Sequence, residues 1–196
     1  MPAITTPASP SRDDANATLG MTVFLGTWVM LFAALFLAYG VVRVQADVWP
    51  PPYEPRLPLG VPGLGSLVLL ASGLVLRLGL RAARAGDVRV LARASVVTSG
   101  LGLVFLSLQA MGWQKLYGAG LRPGSSLYGS VFFAFTIFHA LHVACGLLLL
   151  AVLAVRVWRQ RSRAGDGLRT AARLTAAFWD FVTAVWILMY VTVYVL

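Results

Sequence analysis

Long apolar runs separated by short polar breaks, several of them rich in glycine or proline, set the pattern of this chain. Five runs, at about 21–44, 61–80, 93–114, 127–157 and 174–195, each reach the ~20 residues a helix needs to cross a ~30 Å hydrocarbon core. No period-2 alternation passes through them, and backbone groups find no water in lipid, so the runs predict helices and not barrel strands. The predicted fold class is all-α: a polytopic membrane protein in which residues 20–196 form one five-helix transmembrane bundle behind a flexible polar tail at 1–19. That tail lacks the basic stretch and short apolar core of a cleaved signal, so the first span is expected to be retained. The third run opens on Arg93, Ser95, Thr98 and Ser99, which places its membrane boundary near Ser95.

Composition strengthens the membrane reading. Only 12% of residues are charged and 59% are hydrophobic, against roughly 25% charged in a soluble domain. The sixteen basic residues are distributed unevenly: twelve arginines (12, 77, 81, 84, 89, 93, 156, 159, 161, 163, 169 and 173) fall on one side of the spans, and Arg43, Arg56, Lys115 and Arg122 on the other. Positive residues are retained in the cytoplasm, so the N-terminus is expected inside and the C-terminus outside, as an odd number of spans requires. This topology, with attraction to anionic headgroups, accounts for the net charge of +9 without nucleic acid as a partner.

Candidate chemistry concentrates in the fourth run. YGSVFFAFTIFHALHVACG places both histidines of the chain, His139 and His142, three residues apart in apolar surroundings. An ionisable group at that depth is costly and marks a functional candidate. Thr136, His139, His142 and Cys145 recur at i+3, a ridge that turns slowly round the helix, so its members do not converge on one point. A structural zinc needs four ligands, and a haem held by two histidines needs them on opposite sides of its plane. No haem, copper or zinc site is expected in this chain, and the lone Cys145 reads as a packing residue. Of seven acidic residues only Asp180 falls inside a span, so no carboxylate pair is available for catalysis. In the second run Gly60, Gly63, Gly65, Ser66, Ala71, Ser72 and Gly73 form a small-residue surface suited to close helix approach. The DVWPPPYEPRLPLG connection reads as an extended, stiff lid, with Trp49 and Tyr53 in the interfacial belt.

These residues resemble a family signature. Tyr128, Gly129, Ser130, Phe132, Phe133, Thr136, His139, His142, Val143 and Gly146 match the pattern of cytochrome c oxidase subunit III. FLGTWVMLFAALFLAYGVVR is similar to the first helix shared by that family, LGLVFLSLQAMGWQ to the helix carrying Gln109, and FWDFVTAVWILMYVTVYVL to the last. The resemblance covers nearly everything after residue 20 and corresponds to the five-helix bacterial form, which lacks two helices of the seven-helix members. It implies a non-catalytic subunit of a respiratory haem-copper oxidase that braces a separate subunit I, where haems and copper reside. It also implies a lipid-lined cleft, with bound phospholipid as a candidate ligand.

The chain departs from the family at four positions. Trp28 and Gly112 stand where the family places membrane glutamates, Asp180 stands for a histidine and Thr183 for an aspartate. Two alternatives stay open: a related accessory protein of a nitric oxide reductase, and an unrelated small scaffold or transporter. Trp28, Arg77, Trp179, Trp186 and Tyr190 are candidates for packing or for lining the lipid cleft. Helix rise places His139 level with Tyr190 on the last helix, and Asp180 nearer the arginine-rich inner ends, away from His142. The expected partner of Asp180 is Arg77 first and the Trp28 indole second, with the catalytic subunit as a third.

Overall fold

A computed structural model describes residues 12–49, 51–52, 54–159 and 165–196. Five helices follow one another: α1 (Arg12–Gln45), α2 (Gly60–Arg84), α3 (Val88–Gly118), α4 (Leu127–Arg159) and α5 (Asp166–Met189), the last continuing as a π-helical segment, Tyr190–Val195. All five are long and apolar enough to cross a membrane. Residues 1–11 of the expected tail, Tyr53, Arg161 and Arg163 lie outside the described residues.

The helices overrun the apolar runs that predict them. α1 begins at Arg12, α3 at Val88 and α5 at Asp166, each two turns or so before the expected membrane boundary. Hydropathy measures the stretch that tolerates lipid, whereas a helix continues as long as its backbone bonds and packing hold. At the start of α3 the packing is visible. Ala83, Val88, Leu91, Leu153, Leu168 and Ala172 belong to a second, smaller core that joins the arginine-rich ends of α2, α3, α4 and α5. The polar residues there pair locally: Ser95 Oγ donates to Leu91 O at 2.9 Å and Ser99 Oγ to Ser95 O at 2.9 Å.

α2 to α5 form a ring in which α2 packs on α3, α3 on α4, α4 on α5 and α5 on α2, and α1 lies outside against α4 and α5. α1 is apolar all round its circumference and buries only Phe32 and Tyr39. Polar clasps hold it near both ends. Arg173 Nη2 donates to Thr18 Oγ1 at 2.7 Å, and Arg43 donates to the backbone oxygen of Leu196.

Turns between the ring helices follow from particular residues. Gly86 (φ 101°) reverses the chain after α2, and Asp87 then caps α3 by accepting from the Arg89 and Val90 amides at 3.1 and 3.3 Å. The Tyr-Gly-Ser start of α4 is a turn-to-helix device. Ser126 Oγ accepts from Gly129 N at 3.0 Å, and Ser130 Oγ accepts from Gly124 N at 3.2 Å while donating to Ser126 O. A Cβ on Gly129 would lie 2.9 Å from Arg122 O, so the glycine lets the incoming loop cross the helix start.

Helix approach in the ring also rests on small residues. A Cβ on Gly102 or Gly146 would come within 2.8 Å of the Trp179 ring, and one on Gly79 within 2.4 Å of Ala94 Cβ. Within the expected small-residue surface, Gly63 faces the Tyr190 hydroxyl and Gly65 faces Phe105, whereas Gly60 meets nothing and Ala71 is exposed. Gly146→Ala is therefore expected to lower stability by about 1–3 kcal/mol through overpacking against Trp179. Gly100→Ala, in open space on α3, is expected to leave stability unchanged or raise it by up to ~1 kcal/mol from helix propensity alone. Thermal unfolding of the two variants in detergent checks the opposite signs.

Candidate functional site: the polar ridge of α4 and its neighbours

An i+3 ridge separates its members by about 60° per step, and the structure shows the consequence. Thr136 faces α3, where its Oγ1 accepts from Trp113 Nε1 at 3.1 Å and donates to Phe132 O at 3.0 Å. His139 is buried between α3 and α5, 5.2 Å from the Trp186 ring at 34° and 5.8 Å from Phe105 at 87°. His142 turns to α1 and meets Trp28 edge-on at 3.9 Å and Phe32 at 5.2 Å.

The two histidines thus have different neighbours and cannot ligate one ion together. His142 Nδ1 lies 2.5 Å from Phe138 O; a carbonyl only accepts, so Nδ1 carries the proton. His142 Nε2, both nitrogens of His139 and Trp28 Nε1 are buried without a hydrogen-bond partner among the described residues. What these rings contribute is aromatic packing, and no carboxylate lies among the residues that stack on them.

Trp28 and Gly112, two of the positions that depart from the family pattern, have different surroundings. Trp28 fills the space beside His142 with an indole. Gly112 borders a void of only about 10 Å³, lined also by Gln109, Trp113, Phe132, Trp186 and Tyr194, and a Cβ there would meet nothing. Gln109 is buried and interacts with Tyr194 on the π-helical segment.

Asp180 pairs with Arg77, the first of its expected partners: Nη2 to Oδ1 at 3.1 Å and Nε to Oδ2 at 3.3 Å, a two-point contact. Trp28, the second candidate, faces His142 instead. The pair sits at the surface along the α2/α5 seam, with the side chains 58% and 38% exposed, and not inside the bundle.

His139 and Tyr190, which helix rise places at one level, do not meet. Tyr190 OH lies a turn farther along, against Gly63, and donates weakly to Leu59 O at 3.4 Å, while Trp186 takes the place beside His139. Helix rise gives relative depth only from the helix ends, and the arginines there, Arg156 and Arg173, can snorkel far enough to leave about a helical turn of slack.

Two contacts escape the sequence reading altogether. Trp179 Nε1 donates to Ser72 Oγ at 3.0 Å and Trp186 Nε1 to Ser66 Oγ at 2.9 Å, all four side chains buried. The signal is partial: the two tryptophans are seven apart and share one face of α5, but the serines are six apart on α2 and do not share a face, so no periodic pattern pairs them. Each serine is already satisfied as a donor, to Pro62 O and Leu69 O, so its lone pairs remain for the indoles.

A polytopic helical membrane protein with a buried Thr-His-His ridge is the class that these elements define. Comparison with known proteins gives the family. The model of the family described as cytochrome c oxidase subunit III matches residues 13–196. A probable cytochrome c oxidase subunit 3 of Nocardia farcinica is 38% identical over 179 residues, covering 90% of this chain and 86% of the relative. The probable subunit 3 of Mycobacterium tuberculosis gives the same identity and coverage. Cytochrome c oxidase subunit 3 of Synechocystis is 36% identical over 180 residues, 90% of this chain and 74% of its own. The chain belongs to the cytochrome c oxidase subunit III family.

Ser66→Ala strands a buried indole N–H and is expected to destabilise by about 1–3 kcal/mol. In the Trp186→Phe background the same change should cost little, since no donor is left unpaired. A double-mutant cycle on thermal stability measures this coupling. Additive losses would show that the hydrogen bond does not hold α2 to α5.

Proposed function

We propose that this chain is the non-catalytic third subunit of a bacterial respiratory haem-copper oxidase, set in the plasma membrane with its arginine-rich face in the cytoplasm and its C-terminus outside. Its work is mechanical: it packs against subunit I, which carries the haems and copper, and supports aerobic electron transport from the side. The observation that carries this reading is the divergence of His139 and His142 in a chain whose residues 13–196 match the family model. The residues most often used for metal or proton chemistry are here committed to aromatic packing.

No redox centre is assigned to this chain. Among the described residues no group of three or more His, Cys, Asp or Glu side chains comes together, and Cys145, expected from the sequence to pack, is instead exposed. With Trp28 and Gly112 in place of the family's glutamates, neither position supplies a carboxylate. Electron donors dock elsewhere in the complex.

An affinity-tagged full chain, extracted in mild detergent from its own organism, is expected to bring down a haem- and copper-containing partner with an oxidase visible spectrum. The chain separated from that partner should show no Soret band. A tagged chain that retains stoichiometric haem alone, or that brings down a nitric oxide reductase or no respiratory partner, would contradict the proposal. For topology, reporters fused near Gly86 and Gly165 should read cytoplasmic and one fused after Leu196 should read external. A cytoplasmic signal after Leu196 would reverse the assigned orientation.

A further inference from the structure

The second, smaller core stands clear of the hydrocarbon. Leu168 lies six residues before the apolar run of α5, and Val88 seven before Ser95, where the apolar part of α3 opens. Helix rise sets them ~9 and ~10 Å past the membrane boundary, whereas a headgroup layer is only ~5–8 Å deep on each side. Val157 belongs to the same core, so Trp158, the next residue on α4, is held at that level with its side chain 74% exposed. An indole in the headgroup belt is covered by lipid. One beyond that belt meets water.

Trp158 lines an open groove of about 490 Å³ between the start of α3 and the end of α4. Val88, Ala92 and Val157 form its buried apolar floor, and Arg89 and Arg93, one turn apart, line the α3 side. Neither arginine has an ion-pair partner among the described residues, and the carboxylate nearest in sequence, Asp87, is occupied in capping α3. Arg156 and Arg159 flank Trp158 on α4, exposed and without an ion pair among the described residues. A tryptophan among arginines over an apolar floor has the composition of a protein-interface anchor, and the uncompensated charge selects carboxylates.

We infer that this groove is a docking site for an acidic, partly apolar segment of another subunit of the complex, with its carboxylates on Arg89 and Arg93 and an apolar side chain over the Trp158 indole. The inference rests on the proposed membership of an oxidase complex and adds to it a contact outside the membrane. Helix faces in lipid gain little from burying apolar surface. In the groove, which lies in water, covering the indole is favourable.

The test uses the intact complex purified in mild detergent, its oxidase spectrum showing that the partner is present. The chain's single lysine, Lys115, lies at the far end of α3, so Arg93→Lys places a lone lysine amine in the groove. A zero-length carbodiimide is expected to couple that amine to a carboxylate of a neighbouring subunit and give a protein-sized adduct. Arg84→Lys, on the α2/α5 side and outside the groove, should give none. In parallel, Trp158→Ala is expected to speed loss of this chain from the complex about 30-fold, the scale of an interface anchor, with Trp158→Phe recovering most of that loss. No adduct from Arg93→Lys, equal adducts from both lysines, or unchanged dissociation of Trp158→Ala, in a preparation that keeps its oxidase spectrum, would overturn the docking site and leave the proposed function standing. Phosphatidylglycerol retained at the groove without a protein adduct would make lipid headgroups the occupant and overturn it too, since a phosphodiester lipid of this kind carries no carboxylate. A wild-type preparation with no oxidase spectrum would overturn the proposed function, and the docking site with it.

Discussion

One side chain, Trp179, joins all four helices of the ring. It projects from α5, donates its indole N–H to Ser72 on α2, and presses its ring on Gly102 of α3 and Gly146 of α4, with the indole fully buried. In lipid there is little hydrophobic drive between helices, so association depends on close packing and on interhelical hydrogen bonds. Trp179 supplies both at one point. Trp186 repeats the arrangement two turns on with Ser66 and Phe105, and it is against Trp186 that His139 lies. The position of the histidine ridge is thus tied to how Trp179 seats in the glycine notches of α3 and α4 and how Trp186 is held by Ser66 and Phe105.

This gives a physical account of a motif with two histidines and no metal. An imidazole is flat, aromatic and able to bond its own helix, as His142 does to Phe138 O. It can therefore stack in a membrane interior where a longer charged side chain could not be satisfied. Among the described residues the one full ion pair in the spans, Arg77 with Asp180, lies at the surface of the α2/α5 seam, where its arginine can reach toward the interface.

Much of this architecture is legible in the sequence because lipid imposes simple rules. The number of spans, the all-helical class, the role of Gly63 and Gly65, and the Arg77–Asp180 pair follow from length, residue size and charge. Helix ends were less legible, since the overrun at Val88 and Asp166 is held by packing among Val88, Leu91 and Leu168 that no single run encodes. The partner of His139 was misplaced by one turn, because helix rise fixes depth only as well as its reference residues are anchored. The Trp–Ser bonds were missed for a different reason: a serine on a small-residue face reads as a spacer until the helix opposite is known. The peripheral place of α1 is likewise invisible in a helix that is equally apolar on every side.

If the ring is keyed by Trp179, removing that side chain must cost far more than removing an indole elsewhere. The direct measurement compares thermal or denaturant unfolding of Trp179→Ala with that of Trp158→Ala, whose side chain is 74% exposed near the end of α4. A loss of about 3–5 kcal/mol at 179 is predicted, the range for truncating a buried aromatic, with a change within ~0.5 kcal/mol at 158. Equal and small effects at the two positions would contradict the account.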